Sequence, residues 1–220
     1  MYVCLKACKV GFLAGCRPFI GIDGCHLKGA YLGMCLVAVV MDANNNLYPV
    51  AWAVVEGLVE AFNTVTSKDE IRFCVRHIWA NFKLQFSGPD YKEPFWKAAK
   101  STSLAEFNRE LEGIKFLSPK AHEYLASIPA KHWSRHAFST TSKTNFLLNN
   151  MCESFNAVLK EARDKPIITL MEWIRRYVMK RHYDKRVGVV GYEGTVMPFV
   201  TKYLKWADNK ARLCSFMSIQ

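Results

Sequence analysis

Asp23 stands inside an apolar, strand-like run, with Phe19, Ile20 and Ile22 before it and MCLVAVVM (residues 34–41) after it. A carboxylate left alone among such side chains costs several kcal/mol unless a metal ion or a hydrogen-bonding partner compensates it. Asp23 is therefore a candidate metal ligand. The competing reading is a turn, since Asp-Gly is itself a hairpin signal, although the glycines at 29 and 33 supply a better turn farther on. Cys74-x-x-His77 offers two more ligand types, but structural zinc takes four. Cys25 and His26, or His132 and His136 at helical i, i+4 spacing, could complete a set; a buried cysteine and a hydrogen-bonded histidine are the plainer reading. In NNMCESFN (149–156), Asn150 followed by Glu153 forms a helix N-capping pair. On a helix, Asn149, Glu153, Asn156 and Lys160 share one face, opposite Met151, Phe155, Val158 and Leu159. Arg175, Arg176, Lys180 and Arg181 make a cationic flank, which is either a solvated face or a phosphate-contacting one.

The elements that must position these residues follow from periodicity. Leu5, Ala7, Cys8, Phe12 and Leu13 predict a short helix ending near Gly15. Three strands are predicted over 19–27, 34–41 and 47–56, with Asn44-Asn45-Asn46 as the second hairpin loop. Their Val-, Ala-, Leu- and Trp-rich content predicts a sheet covered on both faces. Residues 58–67 read as helical, and 71–77 as a short strand or a strand running into a helix. From 78 to about 125 the aromatics and charges keep helical spacing, so that Trp79, Phe82, Phe95 and Trp96 read as core rather than as a stacking platform for bases. Ser103 and Glu106 form a capping box. Pro166 opens a long helix whose buried stripe is Ile167, Leu170, Met171, Ile174, Tyr177 and Val178. The tail, with Gly188, Gly191 and Gly194, has no assigned place.

The chain has 220 residues, half of them hydrophobic, which is enough for a real core. Its net charge of +11 favours an anionic partner such as nucleic acid. Eight cysteines without framework spacing read as reduced thiols of an intracellular protein. No run of eighteen apolar residues predicts a membrane span, and Lys6 and Lys9 interrupt the N-terminal segment in a way that argues against a signal peptide.

Several blocks carry a resemblance. GCRPFIGIDGCHLKGAYLG followed by VVMDANNNLYPVAWAVVEG resembles the start of the catalytic domain of Mutator-like (MULE) plant transposases. RFCVRHIWANF, HWSRHAFST, NNMCESFN and EARDKPIITLMEWIRRYVMKR resemble later blocks of that family in the same order, covering about residues 5–186. The resemblance implies an α/β (α+β) fold: an RNase H-like mixed sheet with a large all-helical insertion. It implies a DDE site binding Mg²⁺ or Mn²⁺, since hard oxygen ligands suit those ions and two of them drive strand cleavage. Asp23 then stands as the first carboxylate and Glu153 as the third. The family's second carboxylate, in an SD-x-x-x-G-L block, has no counterpart: AWAVVEG passes directly into GLVEAF, with Gly57 serving both. That join implies loss of one helix, one central strand and the second Asp.

The resemblance divides the chain into a partial RNase H-like core over 1–77, a helical insertion over 78–145, helices carrying the third carboxylate over 146–187, and a tail over 188–220. It implies that the chain begins inside a larger protein. If the first hairpin turns near Ala30, Asp42 falls opposite position 18, about 17 Å from Asp23 at ~3.3 Å per residue. Glu56 lies roughly 10 Å aside, and Asp69 and Glu70 serve only if the sheet rearranges. Closure of 71–77 against 19–27 would bring Cys74 and His77, similar to a C-x-x-H element of the family, near Asp23. The implied partner is DNA in the nucleus, with an oligomer allowed, and the expected state is catalytically inactive. The alternative expectation is a domesticated nuclear module that binds DNA or a protein partner.

Overall fold

In this computed structural model the described residues are 1–28, 33–55 and 71–212. Among them the fold is mixed α/β, with a four-stranded sheet and eight α-helices. They fall into two compact units: Met1–Glu56 with Met151–Gln220, and Gly57–Asn150.

The first unit starts with β1 (Tyr2–Cys4), α1 (Lys6–Gly15), β2 (Gly21–His26), β3 (Met34–Met41) and β4 (Leu47–Val55). The sheet order is β1-β4-β3-β2, and every pairing is antiparallel. The expected mixed sheet is corrected here: a parallel neighbour needs a crossover connection, and no described strand follows β4. The turn placed near Ala30 gives the observed register, Gly21 opposite Val39 and Asp23 opposite Val37. In the second hairpin Asp42 organises the turn: its Oδ1 accepts from the backbone N–H groups of Asn44 (2.9 Å) and Asn46 (2.7 Å). Asn45 there takes a φ of 58°, a left-handed conformation that asparagine tolerates better than most residues.

Coverage of the sheet is unequal. Along β3, Cys35, Val37 and Val39 are buried while Leu36 and Ala38 are only partly so, but Val40 is buried too and Pro49–Trp52 of β4 are buried without a break, so both faces are covered there. The chain returns to this unit through α6 (Asn150–Val158), α7 (Ile167–Val187) and α8 (Pro198–Arg212). Pro166 sits at the N-terminal boundary of α7 as predicted. Leu170, Met171, Ile174 and Val178 are buried, with Ile167 and Tyr177 at the margin of the stripe. Both α1 and α7 pack against β4. Tyr48 reaches the Ala7 carbonyl (3.4 Å) and stacks on His182 (4.3 Å between ring centres). The tail assigned no place in sequence carries α8, which buries no residue and is tied at its start by the Phe199 N–H donating to Asn44 Oδ1 (2.8 Å).

The second unit holds α2 (Val75–Gln85), α3 (Lys92–Lys100), α4 (Leu104–Leu117) and α5 (Pro119–Ala126), followed by short 3₁₀ turns at Ala130–His132 and Arg135–Ala137. Its core gathers Phe82, Phe95, Phe107, Ile114, Leu125 and Trp133. Ser103 accepts from the Glu106 N–H (3.2 Å) as the capping box requires, while the Glu106 carboxylate reaches the Thr102 N–H (3.0 Å). Ser118 caps α5 in the same way, with Pro119 in the first helical position.

Residues 71–77 differ from expectation. No strand forms at 71–74, and α2 begins at Val75. Val75, Ile78 and Phe82 follow helical spacing into the core of the helical unit, and the Val75 N–H donates to the Leu147 carbonyl (2.9 Å). Residues 75–82 belong to the helical unit, because their apolar face is satisfied in its core.

Candidate functional site

Asp23 lies mid-strand in β2 with Gly24 opposite Leu36, so the Asp-Gly turn is excluded. A Cβ on Gly24 would collide with the side chains of Met34 and Leu36, which explains the glycine. The half-buried Asp23 carboxylate is compensated on both oxygens. Its Oδ1 accepts from the Gly24 N–H (2.9 Å), and its Oδ2 from the side-chain amide of Asn156 on α6 (3.1 Å). Asn156 follows Glu153 by three residues, and such residues share a helix face. The Asn156 amide therefore brings the face that includes Glu153 to β2. The IDG and NN-x-x-E-x-x-N blocks, 133 residues apart at this contact, meet in one place.

Two-ion chemistry needs converging carboxylates to hold the ions, and the described residues do not bring such a set together. Among the described residues there is no group of three or more His, Cys, Asp or Glu side chains able to hold a metal. Asp42 stays at the far end of the first hairpin: Val37, opposite Asp23, is five residues away along β3, about 17 Å. Its carboxylate is also occupied by the turn it organises. Glu56, Asp69 and Glu70 lie outside the described residues.

Cys74 and His77 occupy the N-cap and first turn of α2 and belong to the helical unit, as do His132 and His136, whereas Cys25 and His26 belong to the sheet unit. The helical pairing of His132 and His136 is corrected: they sit in separate 3₁₀ turns with the buried Trp133 between them. His132 Nδ1 is bonded to the Ile71 carbonyl (2.6 Å) and its ring stacks on Phe73. His136 Nδ1 meets Ser134 Oγ (2.8 Å), and burial lowers its pKa. Both imidazoles serve the helical unit's own packing. Arg72 does the same from the RFCVRH block. It donates to the carbonyls of Thr144 (2.7 Å) and Ser139 (3.0 Å) and lies over the Phe138 ring at 3.9 Å, which ties that block to HWSRHAFST.

The cationic flank of α7 is partly neutralised. Arg175 and Arg176 both bind Glu172 (2.6 and 2.8 Å), and their hydrogen bonds hold its carboxyl down at about 2. Lys180 pairs with Asp184 (3.2 Å). These pairs are exposed, so each contributes little to stability. Arg181 is different: it donates to the Leu47 carbonyl at the hairpin (3.0 Å) and is structural. Trp79, Phe82 and Phe95 stack within the helical core, as predicted.

Three residues escaped the sequence reading. Asn156 was on the expected face but had no assigned part. Cys35 lies directly opposite Cys25 across β2 and β3, and the neighbouring thiol lowers the Cys25 pKa while raising that of Cys35. The Arg163 charge also lowers the Cys25 pKa. The signal for Cys35 lay in the strand register. Elsewhere in the sheet unit, a cavity of about 480 Å³ is lined by Asp42, Tyr48, His182, Asp184, Lys185 and Arg186 among others. Charges of both signs line it, so it selects no ligand charge. No family model matches the chain, and no curated protein matches its sequence.

Proposed function

We propose that this chain derives from a Mutator-like transposase catalytic domain, keeps two of the three site carboxylates, and no longer cuts DNA. The observation that carries the reading is the Asn156–Asp23 hydrogen bond. It joins the two sequence blocks in which that family places its first and third carboxylates. Mg²⁺ or Mn²⁺ is the ion such a lineage uses, and Asp23 and Glu153 are the residues that would hold one. With two carboxylates there is no pair of ions to bridge attacking and leaving oxygens, and no cleavage step is assigned to the chain. What persists in this reading is nuclear, salt-dependent attachment to duplex DNA, supported by the net charge of +11 and by the exposed cations Arg175, Arg176 and Lys180 on α7.

Duplex binding is expected at about 50 mM salt and should weaken steeply by about 200 mM. Neutralising Arg175, Arg176 and Lys180 together to glutamine should reduce the salt slope by roughly one per lost phosphate contact. Fluorescence anisotropy over a salt series measures both. No binding at the low salt, or a slope unchanged in the triple variant, sinks this part of the reading.

A further inference from the structure

Cys25 and Cys35 are directly opposed in the β2–β3 register. Opposed residues of an antiparallel pair have Cα atoms about 4.5–5.5 Å apart, inside the ~4.4–6.8 Å span that a disulfide bridges without backbone movement. Both are free thiols and both are buried, Cys25 at 7% exposure and Cys35 at 0%. Among the described residues no other cysteine pair is opposed in a strand register. Access is graded. β2 closes one side of the described sheet and contains Gly21 and Gly24, which weaken a strand interior. Cys25, on the outer strand, keeps a little exposure, while Cys35, on the inner strand, has none.

We propose that Cys25 and Cys35 form a redox-active dithiol, a modification site whose substrate is a low-molecular-weight disulfide. The Cys25 sulfur attacks one sulfur of the external disulfide. The external S–S bond breaks, a mixed disulfide forms on Cys25, and one small thiol leaves carrying the proton that Cys25 gives up. Cys35 then attacks the Cys25 sulfur, the mixed disulfide breaks, and the second small thiol leaves with the Cys35 proton. Two protein thiols are oxidised and one external disulfide is reduced to two thiols. The product bridge pins β2 to β3 two residues from Asp23. This site is independent of the transposase reading and would stand if that reading fell.

The test incubates the full native chain with oxidised glutathione, quenches it by alkylation in acid, and maps the peptides by mass. Loss of alkylation at both Cys25 and Cys35, with the two peptides joined and the joining reversed by dithiothreitol, is expected. In Cys35→Ser the reaction should stop at a glutathione adduct on Cys25. If that variant does not fold, as judged by circular dichroism, the native-chain map decides alone. A bridge between other cysteines, such as Cys4 and Cys8, or a Cys25 that stays alkylatable while other thiols react, overturns the proposal.

Discussion

Replacing Trp133 with alanine should destabilise the helical unit by about 3–5 kcal/mol, the range for removing a fully buried large aromatic. Trp133 is fully buried. Its ring stacks on Phe95 with centres 5.5 Å apart, meets Phe107 edge-on at 5.5 Å, and its indole N–H donates to the Ile128 carbonyl (3.2 Å). The next residue, Ser134, is also buried and donates to the Ala98 carbonyl (2.7 Å), so a collapse at 133 would also disturb the α3 end. Trp133→Phe retains most of the packing but leaves the Ile128 carbonyl unpaired, and should cost less, about 1–3 kcal/mol. Urea denaturation followed by circular dichroism separates the two variants. Costs under about 1 kcal/mol for Trp133→Ala would contradict a core centred on this ring.

Arg72→Ala should cost about 2–3 kcal/mol, because hydrogen bonds to a charged donor are worth more than neutral ones and its contact with Phe138 adds a cation–π term. The guanidinium spans two carbonyls and the Ser142 hydroxyl at once, a geometry that a planar fork satisfies and an ammonium does not. Arg72→Lys should therefore recover less than half of the loss. Hydrogen exchange gives a local reading: amides of residues 138–146 should lose protection in both variants, more in Arg72→Ala. Unchanged protection there would mean that Arg72 does not hold the segment.

Much of the sheet unit was legible in sequence, because a turn near Ala30 and a polar loop at 44–46 leave little choice of register. The same register placed Cys25 opposite Cys35, a consequence visible without coordinates. β1 was missed because three residues, Tyr2–Cys4, are too short to show a period. Residues 71–77 read as a short strand, or a strand running into a helix, because Ile71, Phe73 and Val75 alternate. Val75, Ile78 and Phe82 also fit a helix, and the core of the helical unit decided between the two. Spacing of four suggested one helix for His132 and His136, yet Trp133 turns inward between two 3₁₀ turns. At the site, the compensated carboxylate of Asp23 could be read from its apolar surroundings. Its partner could not, since the Asn156 contact spans 133 residues and no local pattern encodes a pairing that distant.

The most direct test is a strand-cleavage assay on double-stranded terminal-repeat DNA with Mn²⁺, comparing the chain with Asp23→Ala. With Asp23 and Glu153 present and no third carboxylate beside them among the described residues, no metal-dependent nicking above the Asp23→Ala background is expected. Nicking that requires Mn²⁺ and disappears in Asp23→Ala would show a complete metal centre and contradict the loss of cleavage proposed for this chain.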